Sequence, residues 1–525
     1  MTRPTTTGKA QDLITFTRST TGTALAKISY GEELVTNGDF SSDSNWSKQA
    51  SANWTISGGK LNGANSTGWI KQTGIVENGK AYKITVDAIV SGGSFRMVTT
   101  ADGSTYTSYI TSSGSYVFYI RPRNALNGGF EFIGDGFTGS IDNVSVKEVL
   151  YDQPDGTLQL FNHPINKPRI EYDASGNCLG LLVEEGRTNL LQYSEDFAGS
   201  YWTKGTITVS ANNAIAPDGS ASADKIVPNA NNDRNHIIYK DMTSSPLDAF
   251  SLFVKPAGFD YVSLILQTSG SADAIGVQFN LLAGTVVTSQ NANGIIQDVG
   301  NGWYRVTVTP TTSSTFYYAV IQPNDGSAPN TSDFFRSTFA GNGSDGVYLW
   351  GAQFERGSFP TSYIPTSGSA VTRAADVASL AVSEFGYNQD QGSVVVNYDA
   401  KYNSFSTRIV ELQSDTNNRM TLYIGQDNAS VALFIRASSS NQGSPATTNV
   451  AQVGLDKVAF SVASNSANIC LNGGTVGVST SVTVPSVTSL LIGDSNAAGY
   501  LNGHIKSVQY YPLRLSNAQL QALTV

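Results

Sequence analysis

The chain is poor in the residues on which covalent and redox chemistry is usually built. Two cysteines, four methionines and three histidines are spread over 525 residues. Cys178 and Cys470 fall in different expected domains, so a disulfide framework and a cysteine-based metal site are both excluded on count. His163, His236 and His504 are as widely separated and are not expected to converge on a catalytic set. Charged residues make up 14%, and the net charge is −9 with Lys and Arg scattered. Without a basic stripe, nucleic acid is not an expected partner. No apolar run approaches the ~20 residues that span a bilayer, so membrane insertion is not expected. The polar opening MTRPTTTGKAQDL has no apolar stretch of the kind found in a signal peptide, so synthesis in a cytoplasm is the expectation. HExxH, GxSxG, P-loop and Rossmann patterns are missing. Helical periodicity is nearly missing too; the one candidate is 515–523, which Ser516 is placed to cap.

What is abundant is Gly (51), Ser, Thr and Asn, with 24 Tyr and 23 Phe. Aromatic residues suit a pleated surface, and Gly and Asn suit turns with positive φ, so an all-β chain of short strands follows. Its length calls for three or four cores. One pattern is written twice. Residues 34–147 run LVTNGDF…NWSK to GDGFTGSIDNVSVK, and residues 190–356 run LLQYSEDF…YWTK to GNGSDGVYLWGAQFER. In each, an acidic-aromatic entry (Asp39-Phe40, Asp196-Phe197) is followed five or six residues on by a Trp (Trp46, Trp202), and a Gly-Asp turn leads into the exit strand. Nothing catalytic is common to both copies, which points to repeated binding or structural modules.

The expected organisation is an N-terminal arm 1–11, a small split β unit from 12–33 and 151–190, and a jelly roll 34–150 inserted in it. A second jelly roll 191–358 follows, then a linker 359–379 with two prolines and a two-sheet sandwich 380–525. Eight strands are expected in that last unit: 392–400, 408–413, 420–425, 431–437, 458–463, 467–471, 489–493 and 505–511. Leu181, Leu182 and Leu190 are expected at a contact between subunits, since so small a split unit buries them poorly.

Few residues suggest chemistry. Glu411 and Asp415 share a strand face, but at ~3.3 Å per residue they stand roughly 13 Å apart, wider than a glycosidase pair. They read as solvated edge charges. Glu171 and Asp173 are the other approximate pair. Arg187 reads as an ion-pair partner next to Glu184 and Glu185. Asp39 at the entry and Asp142 at the exit of the first repeat are expected side by side, and two carboxylates with carbonyls nearby suit a structural Ca²⁺; a turn-capping role is the alternative. Glu195 or Asp196 has the same position in the second repeat. The aromatics Trp46, Trp54, Trp69, Tyr106, Tyr109, Trp202, Trp303 and Tyr304 serve either as sandwich core or as platforms for the C–H faces of sugars. Trp69, Tyr106, Tyr109 and Trp54 are the candidate sugar contacts, and Gly/Ser/Thr-rich surroundings favour Trp69 and Tyr109 as the exposed pair.

Three stretches resemble a module widespread in tailed-bacteriophage spike and fibre proteins: GLLVEEGRTNLLQYSEDF…YWTK (180–204), NGWYRVTVT (301–309) and GSDGVYLWGAQFERGSFPTSYIPTSGSAVTRAADV (343–377). The opening ITFTRSTTGT resembles the start of the same proteins. Residues 34–150 resemble a carbohydrate-binding jelly roll of bacterial glycanases. Residues 380–525, through LDKVAFSVAS, CLNGG, LLIGDS and GYLNGHIKSVQYYPLRLSNAQLQAL, resemble a laminin-G or concanavalin-like sandwich. The resemblance implies a virion-surface protein that binds host surface polysaccharide, as a homotrimer docked to other virion proteins through its N-terminal arm. It does not imply catalysis. Two alternatives stay open: a decoration fibre of head or tail that binds nothing, and a glycan hydrolase.

Overall fold

The computed structural model describes residues 14–99, 107, 109–122, 128–153, 155–242, 248–312, 315–401, 407–425, 430–451, 454–494 and 499–525. They form an all-β molecule of three sandwiches that ends in a short α-helix.

The first sandwich is organised by Phe130–Tyr151, a strand of 22 residues. Along one edge it pairs in turn with Trp69–Gln72, Leu61–Ser66 and Gly22–Glu33; along the other it pairs with Tyr82–Val98. Bulges let so long a strand bend and serve both layers. Phe40, Trp46, Trp54, Phe95, Phe130, Phe132 and Phe137 fill the core. Entry and exit lie side by side as expected: Val144 N donates to Gly38 O at 2.9 Å, and a Cβ at Gly38 would meet the carbonyl oxygen of Val144 at 2.0 Å.

The second sandwich packs two six-stranded sheets. One runs Thr203–Lys204, Ile238–Asp241, Phe316–Asn324, Tyr261–Thr268, Ile275–Asn280, Thr285–Gln290. The other runs Ile207–Ala214, Ala223–Pro228, Gly346–Arg356, Asp248–Ala257, Trp303–Pro310, Ala292–Gly300.

The third sandwich contains all eight expected strands, with bounds moved by one to four residues. The helix Asn517–Thr524 is capped by Ser516 in a reciprocal box with Gln519.

Two expectations are corrected. The split unit of 12–33 and 151–190 is not a separate domain, because its strands are divided between two sandwiches. Thr15–Thr17 pairs with Val377–Ala381 at one edge of the third sandwich, and Ile170–Tyr172 with Cys178–Val183 extends its other sheet through Gly503–Tyr511. Gly22–Glu33 and Thr157–His163 instead join the first sandwich. Leu181 and Leu182 are buried by these pairings and Leu190 packs on the second core, so the chain itself takes up the leucines expected between subunits. Nor is 359–379 a loose linker. Val371–Arg373 pairs with Arg187–Asn189, and Thr361, Tyr363, Ile364 and Asp376 are buried.

What binds these segments together is a buried ion cluster. Arg18 Nη1 meets Asp376 Oδ1 at 2.9 Å, and Arg169 reaches both Asp376 and Glu184, the latter at 2.9 Å. Arg373 lies 3.5 Å from Glu184, and Ser362 donates to Glu184 through its amide (2.8 Å) and hydroxyl (2.7 Å). Burial alone would raise the Glu184 carboxyl; Arg373 and Arg169 more than offset it and hold the group well below the usual carboxylate range. Arg18 is pushed down to about 10, by burial first and then by Arg169, and remains a cation at neutral pH.

Candidate functional site

The exposed candidates converge on the outer face of the first sandwich. Trp69, Ile133 and Arg96 lie directly opposite one another on three neighbouring strands. A bridge between Phe95 and Ile110 extends the row by one step and brings Tyr109 beside Arg96. Successive strand residues point to opposite faces, and Ile70, Phe132, Met97, Phe95 and Ile110 all belong to the core. Trp69, Ile133, Arg96 and Tyr109 therefore point outward as one row. At ~4.8 Å per strand step the row is about 14 Å long, the reach of a short oligosaccharide rather than of one ring.

Cations hold both rings. Lys71 Nζ sits 4.2 Å from the centroid of Trp69, and the Arg96 guanidinium carbon sits 4.9 Å from that of Tyr109. At exposed sites such contacts contribute about 0.5–1 kcal/mol, enough to orient a ring and little enough for a ligand to displace. Tyr109 is 46% exposed and Trp69 half-buried. Glu131, opposite Lys71, is raised above its ordinary value by burial, with Lys71 opposing the shift. Apolar rings, two cations and a carboxylate thus share one face. The sequence reading missed Arg96, Ile133, Lys71 and Glu131, although alternation about Phe95 and Met97 was there to place Arg96 outward.

The other candidates fall elsewhere. Trp54 is corrected to a core residue: it is 5% exposed, its ring lies 5.5 Å from Phe137, and its indole N–H donates to Gly68 O at 2.9 Å. Tyr106 lies outside the described residues. Asp39 accepts from Ser41 N at 3.3 Å and Asp142 from Asn143 N at 2.7 Å, so both carboxylates already satisfy local backbone. Among the described residues no group of three or more His, Cys, Asp or Glu is placed to hold a metal ion.

The three histidines are buried in three different sandwiches. His163 packs on Tyr151 and Phe161, His236 bonds to backbone carbonyls, and His504 bonds to Glu171 (2.6 Å) and Asp399 (3.2 Å). Glu411 is not a solvated edge charge. It is buried and accepts from Thr421, whereas Asp415 sits at the exposed end of the same strand, beyond a bulge. Arg187 pairs with Glu185 as expected.

Fold and site together define a multi-sandwich β protein with an open aromatic-cationic face on its first sandwich. No family model matches the chain, and comparison with curated proteins returns no match. Solved structures with similar folds are β-sandwich domains. Domain 4 of AbnA, an extracellular arabinanase from Geobacillus stearothermophilus solved with arabinotriose, is 16% identical over 32% of this chain and 84% of its own, with a TM-score of 0.25. The IT-sialidase CBM40 of Ruminococcus gnavus is 17% identical over 26% and 83%, with a TM-score of 0.22. Domains LG4-5 of the mouse laminin alpha1 chain are 8% identical over 65% and 90%, with a TM-score of 0.20. Likeness at this level carries no statement about function.

Proposed function

We propose that this chain is a tailed-phage virion-surface adhesin that binds host surface polysaccharide through the row Trp69–Ile133–Arg96–Tyr109. The observation that carries the reading is that row: two aromatics and a cation aligned on neighbouring strands and open to solvent. Sugar C–H faces stack on the rings while hydroxyls bond to Arg96, Lys71 and Glu131. One such site gives about millimolar binding, ~4 kcal/mol, too weak to hold a particle. A homotrimer, docked to other virion proteins through residues 1–11, would gain avidity through effective concentration. Static light scattering that returns a monomer mass would remove the trimer.

Calcium at Asp39 and Asp142 belongs to the same proposal. The two acids supply part of a hard-oxygen shell, and backbone carbonyls with water supply the rest. A glycan array on the full-length protein tests the binding reading, because a decoration fibre would bind nothing on it. A reducing-end assay on host capsule or lipopolysaccharide tests the hydrolase alternative; the adhesin reading expects no new reducing ends.

A further inference from the structure

A second site lies away from the aromatic row, where the three sandwiches meet. A cavity of about 250 Å³ opens between the turn that precedes Gly22–Glu33, the segment after Thr157–His163, and the stretch around Val371–Arg373. Ser19, Thr20, Thr21, Asn162 and Thr372 supply polar groups to its wall; Ile165, Tyr363, Pro365 and Val371 supply apolar surface. Ile165 and Val371 are 40% and 38% exposed. Two exposed branched apolar side chains therefore face one opening.

The wall is rigid. Thr20 Oγ1 accepts from Ala374 N (2.9 Å), Thr372 and Thr188 hydroxyls meet at 2.8 Å, and Thr23 Oγ1 donates to Tyr363 O (2.7 Å). The buried side-chain carbonyl of Asn162, by contrast, has no hydrogen-bond partner among the described residues. The nearby charges are already used. Arg18 is bound by Asp376, Thr20 O and Pro164 O, and Arg373 by Glu184, Glu185 O and Ala374 O. Arg18 and Arg373 are each 1% exposed and held by these partners, so neither charge is presented to an ionic ligand, and a purely apolar ligand would leave the polar wall unpaired.

We infer that this cavity binds a neutral sugar ring. Its C–H face would lie on Ile165 and Val371, and its hydroxyls would exchange hydrogen bonds with Ser19, Thr21 and Asn162. The volume lies below the ~300–1,000 Å³ of sites for drug-sized ligands, which suits one ring. The site is independent of the row on the first sandwich.

The test is saturation-transfer NMR on the full-length protein with the neutral methyl glycosides of glucose, galactose, mannose and N-acetylglucosamine. Each is used at about 10 mM, an excess over the ~1 mM dissociation constant of a ~4 kcal/mol site. At least one glycoside should show transfer that persists in Tyr109→Ala and is lost in Val371→Trp, which fills the mouth. If Val371→Trp does not fold, the double variant Ser19→Ala/Thr21→Val should weaken binding at least fivefold. No transfer from any glycoside would overturn the inference. So would transfer lost with Tyr109→Ala, transfer kept in both cavity variants, or transfer from glucuronate in place of the neutral glycosides.

Discussion

The first two sandwiches share a corner down to its hydrogen bonds and differ in what covers their outer faces. In the first, Phe40 and Trp46 lie 5.3 Å apart at 35°, and the Trp46 indole donates to Asn37 O at 3.1 Å. In the second, Phe197 and Trp202 lie 5.0 Å apart at 33°, and the Trp202 indole donates to Tyr193 O at 3.0 Å. The repeated pattern in the sequence is therefore a structural corner that starts each sandwich. The outer faces then diverge. Trp303, Trp350 and Phe253 of the second are sealed beneath Leu25 and Leu160 of the first sandwich and Tyr363. Trp69 and Tyr109 of the first have no such cover among the described residues. One fold serves as a packing hub in one copy and offers an open face in the other, so the surface a sandwich presents says more about function than its topology does.

The largest effect is expected where the covered sandwich is locked to the third. Asp376→Ala leaves three buried guanidiniums facing one carboxylate and should cost about 3–5 kcal/mol in denaturant unfolding. Trp303→Ala should cost about 3–5 kcal/mol through its cavity. Tyr109→Ala on the open face should stay within about 0.5 kcal/mol. Equal costs for Trp303 and Tyr109 would break the comparison.

A smaller effect sharpens it at the seam between the two sandwiches. Gln159 of the first donates to the Asp218 carbonyl of the second, and Tyr363 O–H donates to Glu195 at 2.7 Å. Burial, and then the charge of Asp218, raise the Glu195 carboxyl from 4.5 to about 7, and burial raises the adjoining Asp218 carboxyl with it, so the two titrate as a pair. The folded state thus keeps a proton that the unfolded chain gives up between those values, so stability falls as pH rises from about 4.5 to about 7. Glu195→Gln should flatten that slope in melts across the window; an unchanged slope would assign it to other groups. The smallest effect is calcium. Adding it after chelation should raise the melting temperature, and Asp142→Asn should remove the rise.

Local patterns were readable in the sequence, and long-range closures were not. The third sandwich was legible strand by strand because Thr421-Leu-Tyr-Ile and Val458-Ala-Phe-Ser-Val alternate, and its helix because Ser516 stands where a cap is needed. The pairing of Thr15–Thr17 with Val377–Ala381 was not legible. Sheet edges that meet across most of the chain leave no local period. The ion cluster shows the same limit: Arg18 and Asp376, 358 positions apart, sit in segments that read locally as a small split unit and a linker. Of the site, Trp69 and Tyr109 were visible from their small polar neighbours. Trp54 was misjudged, although Trp54-Thr-Ile56 places it on the same face as a core isoleucine.

The most direct test of the account is the affinity of full-length Tyr109→Ala for host surface polysaccharide, measured with its melting temperature. An unchanged melt with binding weakened roughly tenfold, about 1.4 kcal/mol, is the predicted result. Binding equal to that of the unsubstituted protein would contradict the claim that the open face of the first sandwich is the glycan-binding surface.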